Sequence, residues 1–415
     1  PGITIRYSGR EQPWQRPCRQ PWEYTEDGRE RVFNMKRIKL LGIAAVLLLL
    51  LGGCGRTETA AQERNTDISQ ELTYTGSMDL VYAEKFAVDY YEDGYALITV
   101  NQDMQYLLVP EGMEAPEDLA EGIAVLQQPV DHIYLVASAV MDMFVSMDAL
   151  DSVRFSGLQE SGWYIEEARE AMEAGDILYA GKYSTPDYEQ ILAEGCGLAV
   201  ENTMIYHTPE VKEQLENFGI PVLVDYSSYE AEPLGRTEWV KLYGLLIGKE
   251  EAAEEAFQSE MEAFQSIQES EEDIGDEKSV AFFYITANGE ANVRKSSDYL
   301  AKMIDMAGGE YIFRNLGDEE SASSTETMQM EEFYAGAKDA DYIIYNSTID
   351  GELSSLAELL AKSPLLKDFK AVESGNVFCT TRDLYQSSME LGTIISDIHS
   401  MLTDRTDMTY IYPLE

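Results

Sequence analysis

Histidine is almost missing from this chain, with three residues in 415. So few imidazoles leave few general bases, and no HExxH motif, G-x-S-x-G elbow or phosphate-binding P-loop is present to argue for an enzyme. Cysteine is equally scarce at four residues, with no CxxC pair and no Cys/His cluster, which argues against a zinc site. Cys196 and Cys379 each adjoin an apolar run and read as buried free thiols. Basic side chains are also short: 30 Lys and Arg stand against 76 Asp and Glu, for a formal net charge of −46. Such a surface repels nucleic-acid phosphates and anionic lipid, and it favours solubility. No apolar run reaches the ~20 residues of a membrane-spanning helix. The run Leu40–Leu51 falls short of that length.

That run has a different meaning. Lys36, Arg37 and Lys39 precede it and Leu51-Gly52-Gly53-Cys54 closes it, the arrangement of a cationic flank, short apolar core and small-residue cut site of a signal peptide. The ending resembles the lipobox of bacterial lipoproteins, which implies a lipid on Cys54 and an extracytoplasmic protein anchored to the cell membrane. Met35 then reads as the translation start, and residues 1–34 as a disordered or mis-assigned extension. Residues 55–73 are polar and read as a flexible tether.

Beyond the tether, periodicity sets out an α/β protein. Phe86–Tyr91 and Tyr95–Val100 alternate around Glu92-Asp93-Gly94 and predict a β-hairpin. A buried strand is expected at Ile133–Ala137, with Ser138 opening a helix that runs to about Leu150. Strands near Ile177, Leu198–Val200 and Pro221–Val224 alternate with helices at Pro186–Glu194 and Pro209–Phe218, the pattern of a parallel sheet covered by helices. Ala253, Phe257, Met261, Phe264 and Ile267 then mark one apolar stripe of a long helix. After residue 277 the strand–helix alternation resumes, with strands at Val280–Ile285, Tyr342–Tyr345 and Asn376–Cys379 and helices at Asp298–Ala307, Met330–Ala337, Leu353–Ala361 and Ser387–Leu402. The expected architecture is two Rossmann-like α/β lobes, residues 74–248 and 278–415, joined by a bridging helix over 249–272.

Several segments, in order, carry a resemblance to a known family. Pro186-Asp187-Tyr188-Glu189-Gln190-Ile191-Leu192 resembles an N-x-E-x-I-L helix, with Asp187 where asparagine is usual. Cys196-Gly197-Leu198-Ala199-Val200 stands where a Pro-Asp-Leu-Val strand is expected and lacks the Pro-Asp. Leu215–Val222 is similar to L-x-x-x-G-I-P-V, Leu245–Ala252 to L-L-G-K-E-x-x-A, and Met303–Glu310 to a helix ending in Ala-Gly-Gly. On these segments the chain resembles the cluster-A (class III) substrate-binding proteins of ABC importers, which capture siderophores, haem and cobalamin.

The resemblance implies a monomeric binding protein, not an enzyme, with no intrinsic cofactor and no resident metal. It would work with a membrane permease and its ATPase and hold a ligand between the lobes. One glutamate on each lobe would dock onto permease arginines: Glu189 on the first, Glu331 or Glu332 on the second. Candidate ligand contacts at cleft-facing strand ends are Ser138, Arg154, Trp163, Tyr164, Tyr206, His207, Arg236, Arg294, Lys295, Tyr345 and Tyr385. Basic and aromatic side chains suit an anionic chelate such as a ferric siderophore. Haem, cobalamin or a bare metal ion is the alternative within the fold, and a surface adhesin or structural lipoprotein the alternative outside it.

Overall fold

The structure is a computed structural model that describes residues 66–268, 278–317 and 324–415. The signal-like segment, Cys54 and most of the tether lie outside the described residues, as does the stretch 269–277 after the bridging helix.

The first lobe holds two five-stranded sheets and a short antiparallel ribbon, Gly181–Lys182 with Thr185–Pro186. Four antiparallel strands, Tyr74–Ser77, Phe86–Tyr91, Ala96–Val100 and Met104–Val109, run in sequence order, and Ala124–Gln127 adds in parallel to the last. The expected hairpin is therefore the centre of a larger sheet. Ala96–Val100 is buried at every position because both faces are covered: Ile98 and Val100 join the main first-lobe core, while Leu97 packs with Ile68, Tyr91 and Leu107 beneath residues 66–72.

The second sheet of this lobe is parallel throughout, ordered Val222–Val224, Ala199–Glu201, Ile133–Leu135, Val153–Ser156, Leu178–Tyr179. Its central strands are wholly buried, the mark of a sheet covered on both faces. The helix expected after Ser138 is broken into a 3-10 turn Ser138–Val140, a short helix Met141–Ser146 and a second turn Leu150–Ser152. Asp148 adopts φ 49° between the last two, a left-handed backbone that ends a helix.

The second lobe is built on a mixed seven-stranded sheet. Lys278–Ile285, Tyr342–Tyr345 and Val377–Thr380 are parallel at its centre, and antiparallel strands Ala291–Arg294, Thr325–Met328 and Ile411–Pro413 extend it. Gly309–Tyr311 pairs alongside the start of the first of these.

Between the lobes runs the bridging helix, Glu250–Gln268. Ala253 and Phe257 enter the first-lobe core, Phe264 and Ile267 the second, and Met261 touches both. One amphipathic stripe thus belongs to two cores. The preceding helix Val240–Ile247 lies so close that a Cβ on Gly244 would come within 2.4 Å of the Ala253 side chain, which only glycine permits.

Candidate functional site

Three neighbouring strands of the first-lobe parallel sheet release their chains at one edge. Ile133–Leu135 leads to Ser138, Ala199–Glu201 to Asn202, Thr203 and Met204, and Val222–Val224 to Ser227, Ser228 and Tyr229. The carboxyl ends of parallel strands are where α/β sheets bind ligands. Facing them, the second lobe contributes Arg294 from the end of its strand, Tyr299 at the start of the helix Tyr299–Met306, and Leu384, Tyr385 and Ser388 from the segment after Val377–Thr380. The cleft between these walls has a volume of about 830 Å³, within the ~300–1,000 Å³ range of small-molecule sites.

One end of the cleft is closed by direct bonds between lobes. The Gln386 side chain accepts from Tyr164 N–H (2.8 Å) and donates to the Gly162 carbonyl (2.9 Å). The Ser388 hydroxyl donates to the Ala139 carbonyl, and Met389 N–H to Asp142 at 2.7 Å. Gly392 N–H donates to Glu260 of the bridging helix at 2.8 Å. Burial raises Asp142 to about 6 and Glu260 to about 7, each partly opposed by its bond from a backbone N–H.

Three cations line the cleft. The Arg236 guanidinium donates to the carbonyls of Ser228 and Glu230 and lies 3.6 Å from the centre of the Tyr299 ring, joining the lobes by a cation–π contact. Burial lowers its pKa, with the carboxylate of Asp298 among the groups that oppose the shift. Arg294 forms an ion pair with Asp298 (3.7 Å) and sits 5.2 Å from the Tyr385 ring centre. Lys85, half-buried, is the third.

The carboxylates beside them are bonded internally. Asp225 accepts from the Ser227 hydroxyl (2.7 Å) and Tyr243 hydroxyl (2.7 Å), Asp298 caps its helix through Leu300 N–H (3.0 Å), and Glu230 accepts from Trp239 Nε1 (2.9 Å). Burial raises the pKa of all three. At the mouth, Met204 and Tyr229 are exposed, and the Tyr229 hydroxyl shares a hydrogen bond with Thr203 Oγ1 (2.7 Å).

Of the residues singled out from sequence, Ser138, Arg236, Arg294 and Tyr385 meet in this cleft. The others lie elsewhere. Arg154 pairs with Glu194 (3.1 Å) and donates to the carbonyls of Gly175 and Asp176, holding the end of a helix. Trp163 is in the first-lobe core, its Nε1 donating to Ser156 Oγ (2.9 Å), because its ring fills space beneath the sheet. Tyr164 is exposed and contributes only its backbone to Gln386. Tyr206 and His207 are exposed; the Tyr206 hydroxyl accepts from that of Tyr226. Lys295 packs its methylenes against Gly317 rather than lining the cleft. Tyr345 is fully buried with its hydroxyl on Asp350 (2.8 Å).

Lys85, Asn202, Thr203, Tyr229 and Tyr299 are cleft residues that sequence reasoning missed. Asn202 and Thr203 could have been found, since they directly follow a buried strand; Lys85 precedes one, where no rule points. Glu189 is exposed on the helix Tyr188–Ala193, and Glu331 and Glu332 are both exposed in the first turn of Met330–Ala337. No group of three or more His, Cys, Asp or Glu side chains among the described residues is arranged to hold a metal ion.

The fold is that of a two-lobed protein with a cleft at the lobe boundary. A family model for periplasmic binding proteins matches residues 157–384, and the chain belongs to that family. The family binds small-molecule ligands and works with an ABC permease and ATPase.

Among curated proteins, an uncharacterised lipoprotein of Methanocaldococcus jannaschii is 24% identical, covering 89% of this chain and 93% of the relative. A second lipoprotein of that organism is 21% identical over 85% and 91%.

Three solved structures share the fold at a TM-score of 0.52: a possible iron-binding solute-binding protein of Staphylococcus epidermidis, a periplasmic haem-binding protein of Pseudomonas aeruginosa and a molybdate-binding periplasmic protein of Haemophilus influenzae. Their identities to this chain are 12%, 15% and 12%. They cover 65%, 68% and 66% of it, and 97%, 97% and 86% of their own lengths.

Proposed function

We propose that this chain is the substrate-binding lipoprotein of an ABC importer and captures an anionic ferric chelate, a ferric siderophore, for delivery to a membrane permease. The observation that carries the reading is the concentration of Lys85, Arg236 and Arg294 at one two-walled cleft of a strongly acidic chain. Tyr229, Tyr299 and Tyr385 beside them supply aromatic surface for a delocalised chelate. A chelate suits this lining better than a bare ion, whose coordination needs several N, O or S ligands converging on one point. In this reading Cys54 carries the lipid that keeps the protein at the membrane. Glu189 and one of Glu331 or Glu332 meet the permease.

Thermal-shift measurements against ferric catecholates, ferric hydroxamates, haem, cobalamin and free divalent metals test the ligand. A ferric siderophore at 100 times its dissociation constant should stabilise the fold by about 2.7 kcal/mol. A shift with haem or cobalamin alone would change the ligand and keep the transporter. A shift with free metal alone would overturn the chelate.

A further inference from the structure

The loop Val81–Lys85 has no regular secondary structure, yet five consecutive backbone N–H groups in it all reach two buried glutamates. Val81, Tyr82 and Ala83 donate to the Glu238 carboxylate over 2.8–3.1 Å. Glu84 and Lys85 donate to Glu230 over 2.7–3.0 Å. Both glutamates come from the segment that also supplies Arg236, and Glu238 is paired on its other side with Lys241 (3.3 Å). Burying a carboxylate is costly unless its oxygens are fully bonded, and here the loop backbone supplies most of those bonds. The loop also lies directly on the helix Pro233–Glu238: a Cβ on Gly235 would meet the Tyr82 carbonyl oxygen at 3.0 Å. The loop is thereby tied down at every residue, and its last one, Lys85, forms part of the cleft wall.

The three cleft cations are not equivalent. Arg294 has Asp298 as its ion-pair partner, and Arg236 spends donors on two carbonyls and its face on Tyr299. The Lys85 ammonium makes no hydrogen bond or ion pair among the described residues; its charge acts on Glu230 only through space, and its backbone is held at both N–H and carbonyl, the latter by Asn101 N–H at 2.7 Å. An ammonium with no hydrogen-bonded partner, on a flexible stem rooted in a fixed backbone, can turn to a ligand anion without breaking an existing bond. Lys85 also falls outside the stretch 157–384 matched by the family model.

We infer that Lys85 is the residue that makes this cleft selective for anionic ligands, its ammonium contacting an anionic group of the bound molecule from the first-lobe wall. The inference rests on the reading of the cleft as a chelate site and goes on to assign the discrimination to one side chain.

Titration of the intact chain with a triply anionic ferric tris-catecholate and a cationic ferric tris-hydroxamate, followed by tryptophan fluorescence, tests it. Lys85→Gln should weaken the tris-catecholate about tenfold or more and reduce the salt dependence of its dissociation constant. Lys85→Arg should keep most of the affinity, and Lys85→Glu should shift preference toward the cationic chelate. Unliganded Lys85→Arg, which keeps a charge near Glu230, should melt at the wild-type temperature, and Lys85→Gln should stay folded at the titration temperature, so that a lost contact is separated from lost structure. Tris-catecholate binding to wild type and Lys85→Gln with equal affinity and equal salt dependence would overturn the role of Lys85 and leave the chelate reading standing. If the wild-type chain binds haem or molybdate instead, the same variants titrated with that anion decide the matter by the same comparison. Wild-type protein that takes none of these anions would sink the reading of the cleft and this inference together.

Discussion

Glu201 stands at the end of a central strand of the first-lobe sheet with no exposed surface, and neither carboxylate oxygen has a hydrogen-bond partner within the protein. Burial alone raises its pKa to about 8. Together with Glu260 at about 7 and Asp142 at about 6, it is a carboxyl group that the folded chain keeps protonated where the unfolded chain does not. Because the folded pKa values lie above the unfolded values near 4, the stability these groups supply is fully present below about pH 4. It is lost as pH rises through 6, 7 and 8. At Asp341 burial pushes the pKa up, but the Lys370 ion pair and the bonds from Ser279 together outweigh it and bring it to about 2, so this group acts in the opposite sense but only in stronger acid. The melting temperature should therefore fall between pH 5.5 and 8.5. Glu201→Gln, which mimics the protonated form, should flatten that decline by up to about 1.4 kcal/mol per pH unit and be neutral at the acid end. An unaltered slope, measured by denaturation at several pH values, would mean that Glu201 titrates as an ordinary carboxyl group.

At the scale of elements, the helix Tyr188–Ala193 shows how a short segment can be held firmly. Its cap is Asp187, whose side chain accepts from Gln190 N–H at 3.1 Å. Aspartate and asparagine cap helices about equally well, which explains why aspartate can replace the asparagine usual in the motif. Gly197, where an aspartate was expected, lies where a Cβ would sit 2.6 Å from the Asp131 carbonyl oxygen. The helix thereby presents Glu189 on the surface, on the lobe opposite Glu331 and Glu332. If the two surfaces dock onto permease arginines, Glu189→Arg should abolish uptake in a reconstituted importer while ligand affinity stays unchanged, since charge complementarity governs register and association. Transport that survives the reversal at low salt would exclude Glu189 as a docking residue.

For the whole molecule, the continuous bridging helix and the bonds from Gln386, Ser388, Met389 and Gly392 to the first lobe and that helix restrain the hinge, so closure around a ligand should be small. If Cys54 carries a lipid, it sets how the whole chain behaves at the membrane. An acidic protein is repelled by anionic lipid, so attachment would fall to the acyl chains. Cys54→Ser should release the protein from membranes or leave it unprocessed, read by fractionation and by the mass of its N-terminus. Normal processing with full membrane retention would rule out lipidation there.

Local periodicity was enough to read much of this architecture. Tyr342–Tyr345 and Met330–Ala337 have the bounds expected of them, and the apolar stripe expected of the bridging helix is buried, and the structure divides it between two cores. These features depend on neighbours within a few residues, where the alternation of apolar and polar side chains reports which face is buried. Four of eleven proposed ligand contacts reached the cleft, because a strand end can be read from sequence but the wall it faces cannot. Trp163 and Tyr345 carry the same aromatic chemistry as Tyr385 and were drawn into cores. Lys85 became a cleft residue only because glutamates near position 234 bind its loop and a lobe beginning some two hundred residues later supplies the opposite wall. Sequence alone determined the layers and the bridge; long-range packing decided which charges line the cleft, since burial and Coulomb interaction depend on distances that chain position does not encode.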